Sequence, residues 1–196
     1  MPRCRGTMYA CTTNLYSSIV QGKKISKPEI LNAWIQSTSG KLEWGAYPFV
    51  VVPIYGSHQW SVVIVENALQ AGPTSLYHVN RFRACHNSGR IFENIRSYLA
   101  HEQNAKAPNV PPTAWNCEVF YTKALQSNTV DCGLYVFHFI DNISRAIMRA
   151  MQMPRCISDK MAEWACGTFN DNASGCLRTI FYNRIISDAN AKTCVG

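Results

Sequence analysis

The chain has 196 residues, of which 47% are hydrophobic and 16% are charged, and this length and composition suit a single globular domain rather than a collagenous or low-complexity chain. No stretch offers the roughly 20 apolar residues of a membrane-spanning helix, and the first 20 residues do not resemble a signal peptide. The net charge of +7 is spread along the chain without a basic, aromatic-rich stripe, which disfavours nucleic-acid binding. We therefore expect one domain over 1–196 that avoids membranes and resides in the nucleus or cytoplasm.

The apolar periodicity predicts helices and strands in an irregular alternation. Ser26 as a capping residue and Pro28 in the first turn indicate the first helix, and β-branched runs that end at Gly and Pro indicate strands. In chain order, the predicted elements are a helix over 27–37, strands over 49–54, 60–65 and 76–79, a helix over 91–101, a strand around 119–121, and helices over 133–153, 157–166 and 175–188. Three consecutive strands place a sheet at the centre, so the predicted fold class is α+β, without a linker.

The nine cysteines form an odd set and include no Cys-x-x-Cys pair. At least one thiol is therefore free, and the spacing of the cysteines fits no zinc template with nearby histidines. In a chain without a secretion signal, reduced thiols are expected. We predict no structural metal and no cofactor.

Cys132 is the cysteine whose position suggests chemistry, because a polar turn over 126–131 leads into the long predicted helix at this residue. Backbone N–H groups at a helix N-terminus are unpaired and the helix dipole is positive there, so a thiolate is stabilised. The alternative is a buried and inert thiol, which is the ordinary state of a cysteine in an apolar chain segment.

The segment around Cys132 resembles the nucleophile motif of the Ulp/SENP cysteine proteases, which are specific for ubiquitin-like proteins such as SUMO and are distantly similar to the adenovirus protease. In that family a Gln lies six residues before a Cys in an Asp-Cys-Gly context, with an Asn two residues after the Gln. The matching residues are Gln126, Asn128, Asp131, Cys132 and Gly133. The resemblance continues upstream and covers residues 25–140 in order.

The upstream anchors of the resemblance are sparser. Val52-Pro53-Ile54 followed by His58 and Trp60 resembles the family's strand, polar turn and His-Trp pair. Residues 78–81 take the place of an apolar-apolar-Asp-Ser motif, and residues 29–35 resemble the family's early helix. The resemblance implies a papain-like cysteine protease fold, with a central, mostly antiparallel sheet flanked by helices.

The chemistry of amide cleavage assigns a role to each matching residue. Cys132 is the nucleophile, and His58 is the base that takes the thiol proton and later protonates the leaving amine. Asn80 accepts the other ring N–H of the histidine, and the Gln126 amide, with the Cys132 backbone N–H, stabilises the oxyanion. The family resemblance implies that Trp60 is one wall of the clamp on the substrate's Gly-Gly tail. The implied enzyme is a monomeric isopeptidase that cleaves SUMO or a related modifier through a thioester.

Two departures from the family pattern leave alternatives open. Gln59 separates His58 from Trp60, whereas the family has His and Trp adjacent. Because side chains alternate along a strand, His58 points away from Cys132 unless a turn or bulge absorbs the extra residue; otherwise Gln59 holds the base position and the protein is inactive. The second departure is Ile25, which corresponds to the family's other clamp Trp.

Four other functions remain compatible with the sequence. The same Cys and His would serve an endopeptidase with a linear recognition motif, or an acyltransferase that depends on acetyl-coenzyme A. A protein that binds ubiquitin-like modifiers without cleaving them, or a basic nucleic-acid-binding module, belongs to a different class. The remaining histidines are assigned no function; they are His78, His86, His101 and His138.

Overall fold

The computed structural model describes residues 8–25, 27, 29–30, 33–34, 42–80, 86–106, 114–121, 131–150 and 171–193. Over these ranges the elements are β1 (Met8–Ala10), α1 (Asn14–Gly22), β2 (Phe49–Gly56), β3 (Gln59–Glu66), β4 (Thr74–Asn80), α2 (Ser88–Lys106), β5 (Trp115–Tyr121), α3 (Cys132–Ala150) and α4 (Asp171–Thr193). None of the described helices is long and apolar enough to span a membrane.

The five strands form one sheet in the order β1-β2-β3-β4-β5. The central strands β2, β3 and β4 pair antiparallel, whereas β1 and β5 pair parallel to their neighbours at the two edges. The sheet is therefore mixed, with its antiparallel part at the centre, where consecutive strands are joined by short connections.

Each face of the sheet is covered by helices, so the central strands are buried on both sides and are mostly apolar. Val52, Val63 and Leu76 face α1 and α2, whereas Val51, Val62 and Tyr77 face α3. Alternation along each strand sends neighbouring residues to opposite faces. This alternation decides which polar side chains meet α3 at the site described below.

The α+β class is confirmed, and most predicted elements are present with longer bounds. The predicted helices over 91–101 and 175–188 extend to Ser88–Lys106 and Asp171–Thr193. Of the predicted helix over 27–37, residues 27, 29–30 and 33–34 are described; residue 27 is not helical, and the other four are. The helix predicted over 157–166 lies outside the described residues. Strand β1 and helix α1 were not predicted.

Candidate active site

The β2–β3 hairpin ends in a tight turn that carries His58. Tyr55 pairs with Trp60 and Gly56 pairs with Gln59, which leaves Ser57 and His58 as the two turn residues. Their φ angles are 51° and 58°, and positive φ at both positions is typical of the type I′ turn that closes two-residue hairpins. The turn thus accommodates the extra residue that separates His58 from Trp60. As a result, His58 lies outside the strand and is exposed.

Cys132 is the first residue of α3 and lies directly beside this turn. Its Sγ atom is 3.9 Å from the backbone carbonyl oxygen of His58, and its side chain is buried. At the neighbouring Gly133, an added Cβ atom would lie 3.6 Å from the Trp60 indole ring. The structure therefore brings together three of the predicted site residues, Cys132, His58 and Trp60, although the contact with His58 is made by its backbone.

Asn80 lies at the end of β4 and is not brought to His58. Val79 pairs with Val62 and belongs to the core that packs on α3, so alternation sends the next side chain to the opposite face of the sheet. There the Asn80 amide donates to the backbone oxygen of His86 at 3.0 Å. The predicted bond between Asn80 and the His58 ring is absent from the described residues. Gln126 lies outside the residues that the structure describes.

The same face of the sheet holds a buried polar chain that sequence reasoning missed. The Ser61 hydroxyl lies 2.7 Å from Nδ1 of His86 and 3.0 Å from Nε2 of His78. His86 Nε2 is 3.0 Å from the carbonyl oxygen of Gly56, and His78 Nδ1 is 2.8 Å from the Ser88 hydroxyl. The available signal was a serine and a histidine on inward positions of neighbouring strands, where apolar residues are the rule.

The direction of these bonds follows from the Gly56 carbonyl, which can only accept. In the neutral form of His86, Nε2–H donates to Gly56 and Nδ1 accepts the Ser61 hydroxyl proton. Ser61 in turn accepts from His78 Nε2–H, and His78 Nδ1 accepts from Ser88. Burial, and to a lesser extent repulsion from a protonated His86, lowers the pKa of His78 to about 3. The His78 ring is therefore neutral, and the chain of bonds anchors the strand just before the turn.

A second buried contact fixes the start of α3. The carboxylate of Asp131, the residue before Cys132, accepts a hydrogen bond from the Ser174 hydroxyl at 3.0 Å and is paired with the Arg178 guanidinium of α4. The carbonyl of Asp131 accepts the Tyr135 N–H in the first turn of α3. Asp131 thus connects the segment that presents the thiol to the last helix.

The site contains no recognisable metal position in the described part of the chain, where no group of three or more His, Cys, Asp and Glu is close enough to hold an ion. Ile25, the residue at the family's second clamp position, lines a cavity of about 270 Å³ with Ile19, Trp34 and Tyr98. Since Ile19 and Tyr98 belong to the core on the α1 and α2 face, this cavity lies away from Cys132.

Comparison with known proteins decides the family. The family described as "Ulp1 protease family, C-terminal catalytic domain" matches residues 9–166. The chain belongs to this family. Its fold and its class, a cysteine peptidase, are those predicted from the motif around Cys132. No curated protein shows significant similarity to the sequence.

Solved structures of similar fold include one described as a de-sumoylating protease, which has a TM-score of 0.65 and 15% identity over 95% of this chain and 76% of the other. The Xanthomonas protein XopD has a TM-score of 0.46 and 12% identity over 75% of each chain. The yeast Ulp1 protease domain, in complex with the SUMO ortholog Smt3, has a TM-score of 0.46 and 15% identity over 66% of this chain and 53% of the other. The first of these similarities supports the α+β protease fold.

Proposed function

We propose that this Ulp1-family chain is a thiol isopeptidase that cleaves after the C-terminal Gly-Gly of SUMO or a related ubiquitin-like modifier. The observation that carries the proposal is the position of Cys132, at the N-terminus of α3 with its Sγ 3.9 Å from the His58 backbone oxygen. A family match over residues 9–166 and a fold similar to that of a de-sumoylating protease support the choice of substrate.

The reaction proceeds in two steps through the sulfur of Cys132. His58 accepts the thiol proton, and the thiolate attacks the carbonyl carbon of the terminal glycine to form a tetrahedral intermediate. Collapse of this intermediate breaks the C–N bond, and the His58 imidazolium gives its proton to the leaving amine, which leaves a thioester. Water then attacks the thioester with His58 as the base, which releases the modifier's carboxylate and restores the thiol.

The helix N-terminus supplies the electrostatic part of this mechanism. The first N–H groups of α3 have no partner within the helix, so their dipoles favour negative charge on the sulfur and on the developing oxyanion. The Cys132 N–H is the oxyanion donor within the described residues, and the Gln126 amide is the second donor that the motif implies. Both contributions require the reacting carbonyl to lie over the start of α3.

His58 acts from a turn rather than from a strand, and this changes how it meets the thiol. Its carbonyl contacts the sulfur, and its imidazole is joined through Cβ to the Cα atom next to that carbonyl, so rotation about χ1 moves the ring without moving the hairpin. Because Asn80 bonds to His86, we propose a Cys132–His58 pair that works without Asn80 as a third member. This assignment modifies the role that the sequence gave to Asn80.

An aromatic wall stands beside the sulfur for the modifier's tail. Trp60 lies against Gly133, and the exposed ring of Tyr55 lies 4.8 Å from the Trp60 ring. A narrow passage against this wall favours glycine, which has no side chain to exclude. We propose that Trp60 binds the Gly-Gly tail, as the family resemblance implies, and that Tyr55 widens the apolar surface.

A second candidate function, binding of a modifier without cleavage, is favoured by one observation. Gln59, not His58, occupies the strand position directly before Trp60, which is the position of the histidine in the family pattern. An amide cannot take the thiol proton at neutral pH, so a Gln59 at the base position would leave Cys132 without a base. The experiment below separates the two functions.

The test uses SUMO and ubiquitin probes that carry a C-terminal electrophile. We expect the unmodified chain to form a covalent adduct with the SUMO probe at Cys132, located by peptide mapping, and Cys132→Ala to form none. An adduct with the ubiquitin probe but not with the SUMO probe would support the peptidase function and identify ubiquitin as the modifier. Non-covalent binding of SUMO that is equal in both proteins, without any adduct, would select the binding function and contradict the peptidase.

A further inference from the structure

Helix α4 contributes two side chains to the segment that presents the nucleophile. The side chain of Asp131 is only 6% exposed, and it accepts from the fully buried Ser174 at 3.0 Å and pairs with Arg178. The family match ends at residue 166, so Ser174 and Arg178 lie beyond the part of the chain that the family describes. The pattern around Cys132 therefore does not account for them.

The carboxylate of Asp131 creates an electrostatic difficulty for a nucleophilic thiol. A negative charge on the residue next to Cys132 opposes the formation of a second negative charge on sulfur, and the effect grows when the carboxylate is shielded from water. A buried carboxylate also needs a partner, because removal from water disfavours its charged form. Arg178 supplies a positive charge at this carboxylate, and Ser174 supplies a neutral hydrogen bond.

In the described part of the chain, charged and titratable groups from three elements lie at or near Cys132. Asp131 precedes it in its own segment, Arg178 reaches this carboxylate from α4, and His58 approaches from the hairpin turn. Arg178 is the permanent positive charge among them. His58 changes its charge during the reaction and so cannot offset Asp131 at every step.

We propose that Arg178 is a positioning residue for the peptidase, which compensates the charge of Asp131 so that Cys132 forms its thiolate at a lower pH. The proposal rests on the proposed role of Cys132 as the nucleophile. Arg178 does not touch the substrate in this scheme; it acts through Asp131. Its side chain is 56% exposed, which allows it to be replaced without opening a cavity in the core.

The test follows the pH dependence of alkylation at Cys132 by iodoacetamide. The rate is read from the peptide that contains Cys132, so that the exposed thiols of Cys117 and Cys176 do not contribute. In Arg178→Ala, the pH of half-maximal rate should rise by about one unit, because a positive charge is removed from beside the Asp131 carboxylate. Arg178→Lys, which keeps a positive charge, should shift the pH of half-maximal rate by less.

A double substitution distinguishes charge compensation from a merely structural role. Adding Asp131→Asn to Arg178→Ala removes the negative charge next to Cys132, so the midpoint should return toward that of the unmodified protein. Arg184→Ala is the matched control, because Arg184 lies on the same helix and pairs with Asp188 at 3.6 Å on the exposed surface. We expect no shift for Arg184→Ala.

The proposal is contradicted if Arg178→Ala leaves the midpoint unchanged, or if its shift persists in the double variant. Alkylation needs no substrate, so this result is independent of whether a modifier is cleaved. If Arg178→Ala raises the midpoint as expected but no modifier probe labels Cys132, the role of Arg178 toward the thiol is retained and the peptidase function is rejected. Far-ultraviolet circular dichroism of each variant checks that the comparison is made on folded protein.

Discussion

One face of the sheet and the turn of the β2–β3 hairpin hold histidines in opposite environments. On one face, His78 and His86 are buried, and all four of their ring nitrogens lie within hydrogen-bond distance of a partner. At the tip of the same hairpin, His58 is exposed, and its ring has no hydrogen bond to any described residue. A histidine whose two nitrogens are both engaged is held in one tautomer, whereas a histidine that exchanges protons needs a nitrogen that is accessible.

The buried chain of polar side chains and the exposed turn have different physical roles. The buried chain ends on the Gly56 carbonyl, one residue before the turn, so it holds the base of the turn in place. The turn then presents His58 beside Cys132. The buried chain thus supports the turn that carries the reactive histidine, as expected for a functional group carried on a loop and positioned by a scaffold.

The largest expected effect is the loss of stability in acid that comes from His78. Its pKa is about 3 in the folded protein, against an ordinary value of 6.5, so below about pH 6.5 the unfolded chain binds a proton that the folded chain does not. Stability is therefore full above this pH and falls by up to about 1.4 kcal/mol per unit as the pH decreases toward 3. Urea unfolding of the native protein and of His78→Gln at pH 7, 6, 5 and 4 measures this slope.

His78→Gln should lose part of the acid dependence, because the proton-binding difference disappears with the imidazole. The overall stability of this variant does not matter to the test, since the comparison is between slopes. Equal slopes in the two proteins would show that His78 titrates normally and would remove the contrast between the buried and the exposed histidines.

A smaller effect is expected from Ser61→Ala, which removes the hydroxyl between the two imidazoles. His86 Nδ1 and His78 Nε2 then lose their common partner in a buried site, which should lower the free energy of unfolding by about 1–3 kcal/mol. Ser57→Ala, in the exposed turn, is the matched control and should change it by less than about 0.5 kcal/mol. Urea denaturation at pH 7 compares the variants, and similar losses for both would argue against a stabilising role of the buried chain.

The sheet was predictable from the sequence because its signal is local. Runs such as Val50-Val51-Val52 and Val62-Val63-Ile64 combine β-branched residues with flanking turn residues, and this pattern identifies strands buried on both faces. Strand β1 has three residues and pairs at the sheet edge, so it offers too short a pattern to find. Helix α1 has nine residues, with no acidic residue in its first turn and no basic residue in its last turn, so its sequence signal is weak.

The candidate site was only partly predictable because its geometry depends on tertiary contacts. The approach of Cys132 to the His58 turn followed from the motif and from the position of the thiol at a helix start. The side of the sheet on which Asn80 lies depends on the register of β3 with β4, which one residue reverses. The pairing of Asp131 with Arg178 joins residues 47 positions apart, and neither residue carries a local signal for the other.

The most direct test of the account is to compare the catalytic constants of His58→Ala and Gln59→Ala on SUMO with a C-terminal fluorophore. We expect kcat to fall about 10²- to 10⁴-fold in His58→Ala and to stay close to that of the unmodified protein in Gln59→Ala. Full activity of His58→Ala, with the loss in Gln59→Ala instead, would contradict the assignment of His58 as the base.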